Sequence, residues 1–86
     1  MSHYDKATYT SLLDQMLSCE LSYSSSFASE GNIKSAMKRV LGTLIKKNIL
    51  KSYSNLVLDE NLNVHVVILD TDNSEFDIVL FYGIQM

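Results

Sequence analysis

Cysteine occurs once in these 86 residues, at Cys19, and glycine three times, at Gly31, Gly42 and Gly83. A single cysteine excludes an internal disulfide and any cysteine-based zinc cage, and a lone thiol fits a reducing, cytoplasmic setting. Its expected place is that of a small buried helix residue. Three scattered glycines leave no glycine-rich loop to cradle a phosphate. The longest uncharged apolar run, IVLFYGI at 78–84, is far short of the ~20 residues that cross a bilayer. The opening MSHYDKATYT lacks the basic-then-apolar order of a signal peptide, so no membrane association is expected. Positive charge is missing from the last third of the chain: no Lys or Arg follows Lys51.

What is present describes one small folded domain spanning 1–86. Apolar residues make up 47% of the chain, enough for a core and too many for a disordered segment. A chain of this length buries roughly 60–65% of its unfolded surface, so that core is modest. The net charge of −3 conceals a strong asymmetry. Residues 34–51 carry six bases (Lys34, Lys38, Arg39, Lys46, Lys47 and Lys51) and no acid, whereas residues 52–86 carry six acids (Asp59, Glu60, Asp70, Asp72, Glu75 and Asp77) and no Lys or Arg. A basic block thus lies between acidic ones.

Two periods divide the chain. Tyr9, Leu12, Leu13, Met16 and Leu17 recur at helical spacing, with Asp5 placed to cap the first turn. Glu20 falls on the same side, so this helix either stops there or pairs Glu20 with a base. The serine-rich stretch 21–32 predicts a loop, with a short strand at 21–27 as the alternative. Ile33, Ala36, Met37, Val40, Leu41, Leu44, Ile45 and Ile49 trace a second helical face from a cap at Asn32 to about Lys51. Gly42 lies opposite that stripe, where another element could approach closely. After Tyr53 the period becomes two: SNLVLD, LNVHVVIL and FDIVLFYGI read as strands joined by short turns. The expected fold is α+β, two helices followed by a three-stranded antiparallel β-meander, with the helices packed on one face of the sheet. Leu62, Val64, Val66, Ile68, Phe76, Ile78, Leu80 and Tyr82 form the face that meets the helices. The opposite face carries Val67, Leu69, Val79 and Phe81, which a half-solvated sheet should not display in a cluster.

VVILDTDNS, residues 66–74, is the stretch that most suggests chemistry. An apolar strand followed by Asp-x-Asp-x-Ser resembles the first motif of the haloacid-dehalogenase phosphatases. That resemblance implies Asp70 as nucleophile, Asp72 as general acid/base, and magnesium neutralising the phosphoryl charge. It covers residues 66–74 alone. The family continues with a helix and strands bearing a lysine and further metal carboxylates, whereas the twelve residues after Ser74 hold no Lys, His or Arg, and one βαβ unit needs ~30 residues. As the start of a calcium loop, the stretch has Glu75 where glycine is needed and Phe81 where a bidentate glutamate is needed. A weak ion site from Asp70, Asp72 and Glu75 is the remnant of that idea. Asp, Asn and Ser are also the residues that build hairpin turns, and this reading is preferred. His3 and His65 have no partner at metal-ligand or triad spacing. No catalytic residue, metal or cofactor is expected.

The expected function is therefore non-catalytic. The chain reads as a small inhibitor, adaptor or subunit that binds a protein partner, or itself as a homodimer, through Val67, Leu69, Val79 and Phe81 or the last-strand edge. Asp70, Asp72, Glu75 and Asp77 would form an acidic rim suited to a basic surface. The alternative is a nucleic-acid-binding protein that tracks phosphates with Lys34, Lys38, Arg39, Lys46 and Lys47. The negative net charge and the scatter of those bases around the helix weigh against it.

Overall fold

The computed structural model describes residues 4–22 and 30–81. It contains α1 (Lys6–Ser22), α2 (Glu30–Lys46), β1 (Leu50–Leu58), β2 (Val64–Asp70) and β3 (Glu75–Leu80). The three strands form one antiparallel sheet in the order β1-β2-β3, the α+β arrangement expected from the two periods. Tyr9, Leu13 and Leu17 of α1 and Ile33, Met37, Val40 and Leu44 of α2 are buried against Val64, Val66, Ile68, Ile78 and Leu80 of the sheet. Both helices therefore lie on the same face. Phe76, Leu62 and Tyr53 are partly buried against this core; Tyr82, expected beside them, lies outside the described residues.

Local chemistry fixes the helix ends. Asp5 Oδ1 accepts a hydrogen bond from the Thr8 amide at 2.8 Å, the N-cap bond expected of it. A hydrogen bond from the Thr8 side chain, then that from its amide, hold the Asp5 carboxyl below its ordinary range. Helix α1 continues through Leu21 and Ser22, and Glu20 is accommodated by pairing with a base: Arg39 Nε lies 3.1 Å from its Oε1. The strand weighed for 21–27 thus loses its first two residues to α1, and its remainder lies outside the described residues. Asn32 is not the cap of α2, because the helix already begins at Glu30. Cys19 is exposed rather than buried, since the buried stripe of α1 runs through Leu13 and Leu17 and leaves position 19 to solvent.

Helix α2 also stops five residues earlier than its apolar spacing suggests. Asn48 takes φ of 61°; its amide bonds to the Ile45 carbonyl and the Ile49 amide to the Leu44 carbonyl, both at 3.0 Å. This is the two-bond pattern that ends a helix on a left-handed residue, with Asn48 in the place usually given to glycine. Ile49 keeps its apolar role without being helical, because the residue after such a stop packs back on the last turn. Strand β1 then starts at Leu50 and contains two register shifts, between Leu50 and Ser52 and between Ser54 and Val57. Asn55, at φ 56°, sits in the second. Such bulges twist an edge strand and discourage further pairing there.

The expected close approach at Gly42 does not occur. Gly42 is exposed, and a Cβ added there meets nothing within 4 Å. Its only consequence is a helix-interior glycine, so Gly42→Ala should stabilise the fold by about 0.5–1 kcal/mol. A rise in the urea midpoint with an unchanged slope is the expected result; an unchanged or lower midpoint would contradict this account.

Candidate functional site

The two hairpin turns share one design. In the first, Asp59 Oδ1 accepts hydrogen bonds from the amides of Asn61 (2.9 Å) and Asn63 (3.0 Å). In the second, Asp70 Oδ1 accepts them from the amides of Asp72 (2.9 Å) and Ser74 (3.1 Å). The backbone repeats as well: Leu62 N–H donates to the Asp59 carbonyl and Asn73 N–H to the Asp70 carbonyl, and Leu62 and Asn73 both have positive φ, 64° and 67°. Each is a three-residue loop closed by a left-handed residue, a common hairpin connection. DTDNS is thus a turn, and its sequence counterpart is DENLN at 59–63.

Asp70 is fully buried. With Oδ1 engaged by the turn, its Oδ2 lies 3.5 Å from the Tyr9 hydroxyl. Burial, followed by the charge of Asp70, pushes the Tyr9 phenol up to about 12, so Tyr9 stays a neutral donor. Tyr9 also stacks edge-on with Tyr4 (5.3 Å between centroids) and tilted with Phe76 (5.2 Å). This cluster ties the start of α1 to the β2-β3 hairpin. Asp70 therefore lies beneath the surface and is separated from the acids expected beside it; Asp72, Glu75 and Asp77 are exposed. Among the described residues no three His, Cys, Asp or Glu side chains gather to hold a metal ion.

The outer face of the sheet brings the other expected site residues together. Across the strands, Val57 stands opposite His65 and His65 opposite Val79, Val67 faces Asp77, and Leu69 faces Glu75. Val67, Leu69 and Val79 are half-buried, Phe81 just beyond β3 is 62% exposed, and Val57 is 51% exposed. No described helix packs on this side. Val57 was not among the residues expected here. Its sequence signal was its place between the inward-facing Leu56 and Leu58, obscured because the bulge at Asn55 shifts the parity of β1. His65 Nε2 lies 3.0 Å from Asp59 Oδ2, so His65 is a surface neighbour of the apolar patch anchored to the first turn.

A groove of about 830 Å³ opens between one flank of α1 and the end of β3. Its described lining includes Ala7, Thr10, Ser11 and Asp14 from α1 with Val79 and Phe81. The bases of α2 are elsewhere. Lys38, Arg39 and Lys46 are exposed on the side of α2 turned away from its buried stripe, Lys34 is half-buried on the flank of that stripe, and Lys47 is exposed just past the helix end, with Arg39 paired to Glu20. The two candidate surfaces, apolar-acidic and basic, therefore lie on opposite sides of the molecule.

Two measurements probe the turns. Asp70→Ala leaves the Asp72 and Ser74 amides without their acceptor and should cost about 2–4 kcal/mol, more than Asp72→Ala, whose side chain is exposed; equal effects in urea unfolding would contradict the assignment. The hydrogen bond from His65, then that from the Asn63 amide, hold Asp59 down to about 2 from an ordinary 3.8. A carboxyl lowered on folding stabilises the native state above its unfolded value, and that contribution is lost as pH falls through the folded one. Stability should therefore fall between about pH 4 and pH 2 with a component that Asp59→Asn removes; an identical acid profile for the variant would refute it.

No helix among the described residues is long and apolar enough to cross a membrane. No family model matches the chain, and no curated protein and no solved structure matches it either.

Proposed function

We propose that this chain is a non-catalytic protein-interaction module that binds through the outer face of its sheet. The observation that carries the reading is the patch centred on Val67, Leu69 and Val79, bordered by Val57 and Phe81 and covered by none of the described residues outside the sheet; Val57 and Phe81 are two of the large apolar residues left exposed. Contiguous apolar surface of this kind, edged by charge, is characteristic of sites that dock another macromolecule. Glu75 and Asp77 supply that edge, each beside an apolar neighbour on the middle strand. A face of this composition excludes solvent at its centre and selects partners at its rim.

The basic side of α2 supports the nucleic-acid alternative less well. Its charges are spread across a wide helical face with no aromatic side chain interleaved, and Arg39 is already held by Glu20.

Phe81→Glu tests the proposal. With 62% of Phe81 in solvent, the substitution should leave the unfolding free energy within about 0.5 kcal/mol of wild type. Cross-linked capture from source cells, compared between the two proteins, should lose the specific partner, and light scattering should lose any self-association. A sharp fall in stability would make Phe81 an ordinary core residue; unchanged capture and unchanged association would overturn the function.

A further inference from the structure

Among the described residues strand β3 pairs only with β2, which leaves its other side open, and the register decides which of its backbone groups are committed. Asp70 and Ser74 form a hydrogen-bonded pair at 3.0 Å. Alternation along an antiparallel ladder then turns the amides and carbonyls of Phe76, Ile78 and Leu80 toward β2. Those of Glu75, Asp77 and Val79 point the other way, along the open edge. The side chains of the same three residues stand on the outer face, opposite Leu69, Val67 and His65. At the far end of this edge lies the groove against α1, where Ala7, Thr10 and Ser11 present short side chains beside Val79 and Phe81. Backbone donors and acceptors, an apolar end and an acidic end thus follow one another along a single line.

We infer that this edge accepts an extended segment of a partner protein as a fourth strand, with apolar residues beside Val79 and Phe81 and basic residues beside Asp77 and Glu75. The inference rests on the interaction reading above and names its partner chemistry. Charge complementarity selects the occupant. Glu75 and Asp77 are exposed, no Lys or Arg follows Lys51 in the sequence, and the Lys51 ammonium is engaged by Asn73 Oδ1 at 2.8 Å. Lys6 is the one base among the described residues of the groove. A second copy adding its own β3 would bring Glu75 and Asp77 from both chains onto one strip of the outer face, where like charges oppose association. A basic strand meets the same strip with opposite charge. Edge addition supplies affinity through main-chain bonds, and alternate side chains supply specificity.

The experiment is selection from a displayed library of random linear peptides, followed by hydrogen exchange on the full chain with a selected peptide. The expected result is enrichment of Lys or Arg at alternate positions adjoining an apolar alternate pair. Binding should fall at least about tenfold in Asp77→Lys, and the Glu75, Asp77 and Val79 amides should gain protection while the amides between them, already bonded to β2, change little. Val79→Pro, which removes an outward-pointing amide together with the Val79 side chain, should abolish binding with the fold retained by circular dichroism, whereas Val79→Ala, which keeps the amide, should weaken it less. Selection of no peptide, or of peptides without the alternating bases, would overturn the inference. Binding that Phe81→Glu abolishes but that gives no alternate protection would overturn strand addition and leave the outer-face reading standing. Binding that neither Phe81→Glu nor Asp77→Lys weakens would overturn both. Self-association strengthened by salt, with the same alternate protection, would assign the edge to a second copy and overturn the basic partner.

Discussion

Two helices of 17 residues each cover one face of a three-stranded sheet whose middle strand is apolar on both. Everything else follows from that shortfall. Val64, Val66 and Ile68 are removed from water by Tyr9, Leu13, Leu17 and the apolar stripe of α2, whereas among the described residues Val67 and Leu69 have only their strand neighbours for shelter. A small domain buries a limited share of its surface, and this one places the remainder on one side, contiguous and edged by carboxylates. Among the described residues the same economy leaves β3 as an unpaired edge, while β1, the opposite edge, is interrupted by two bulges. One edge is blunted and the other is straight.

An apolar pattern on both faces raises a second problem, that of register. When only one face of a strand is apolar, a one-residue slip exposes the core set and is strongly disfavoured. Here a slip in β2 would exchange Val66 and Ile68 for Val67 and Leu69, so side-chain patterning discriminates weakly. The turns carry the burden. Asp59 and Asp70 each bind two amides of their own loop, and each loop closes on a left-handed residue. Leu62 occupies that conformation in the first turn without the tolerance that Asn73 brings to the second, and its partial burial against the core compensates. Asp70 goes further, because its second oxygen faces Tyr9 and so couples the β2-β3 register to the docking of α1. The acid that most resembled a catalytic group decides which apolar residues face outward.

The architecture was legible because the period of the chain changes once, from helical to alternating, near Tyr53. The inner face of the sheet and the N-cap at Asp5 were legible for the same reason, since each depends on residues a few positions apart. Element ends were less so. Ile45 and Ile49 share helical spacing, yet Asn48 stops the helix between them, and asparagine announces a left-handed residue less clearly than glycine does. The strand that follows carries a bulge at Asn55, which hid the outward direction of Val57. Of the expected surface residues, Val67, Leu69, Val79, Phe81, Asp72, Glu75 and Asp77 do share one side of the molecule or its adjoining turn. Asp70 does not, because the burial of a turn carboxylate depends on a tyrosine 61 residues away, which no local pattern reveals.

One face of the sheet is core, and the other is accessible among the described residues. Side-chain exposure to a soluble paramagnetic probe, measured residue by residue at a concentration where the chain is monomeric, tests it most directly. Strong relaxation at the Phe81 ring and the Val57 methyls, intermediate relaxation at Val67, Leu69 and Val79, and little at Val66, Ile68 and Ile78 is the predicted result. Equal protection of both sets would show that the outer face is covered within the chain and would contradict the account.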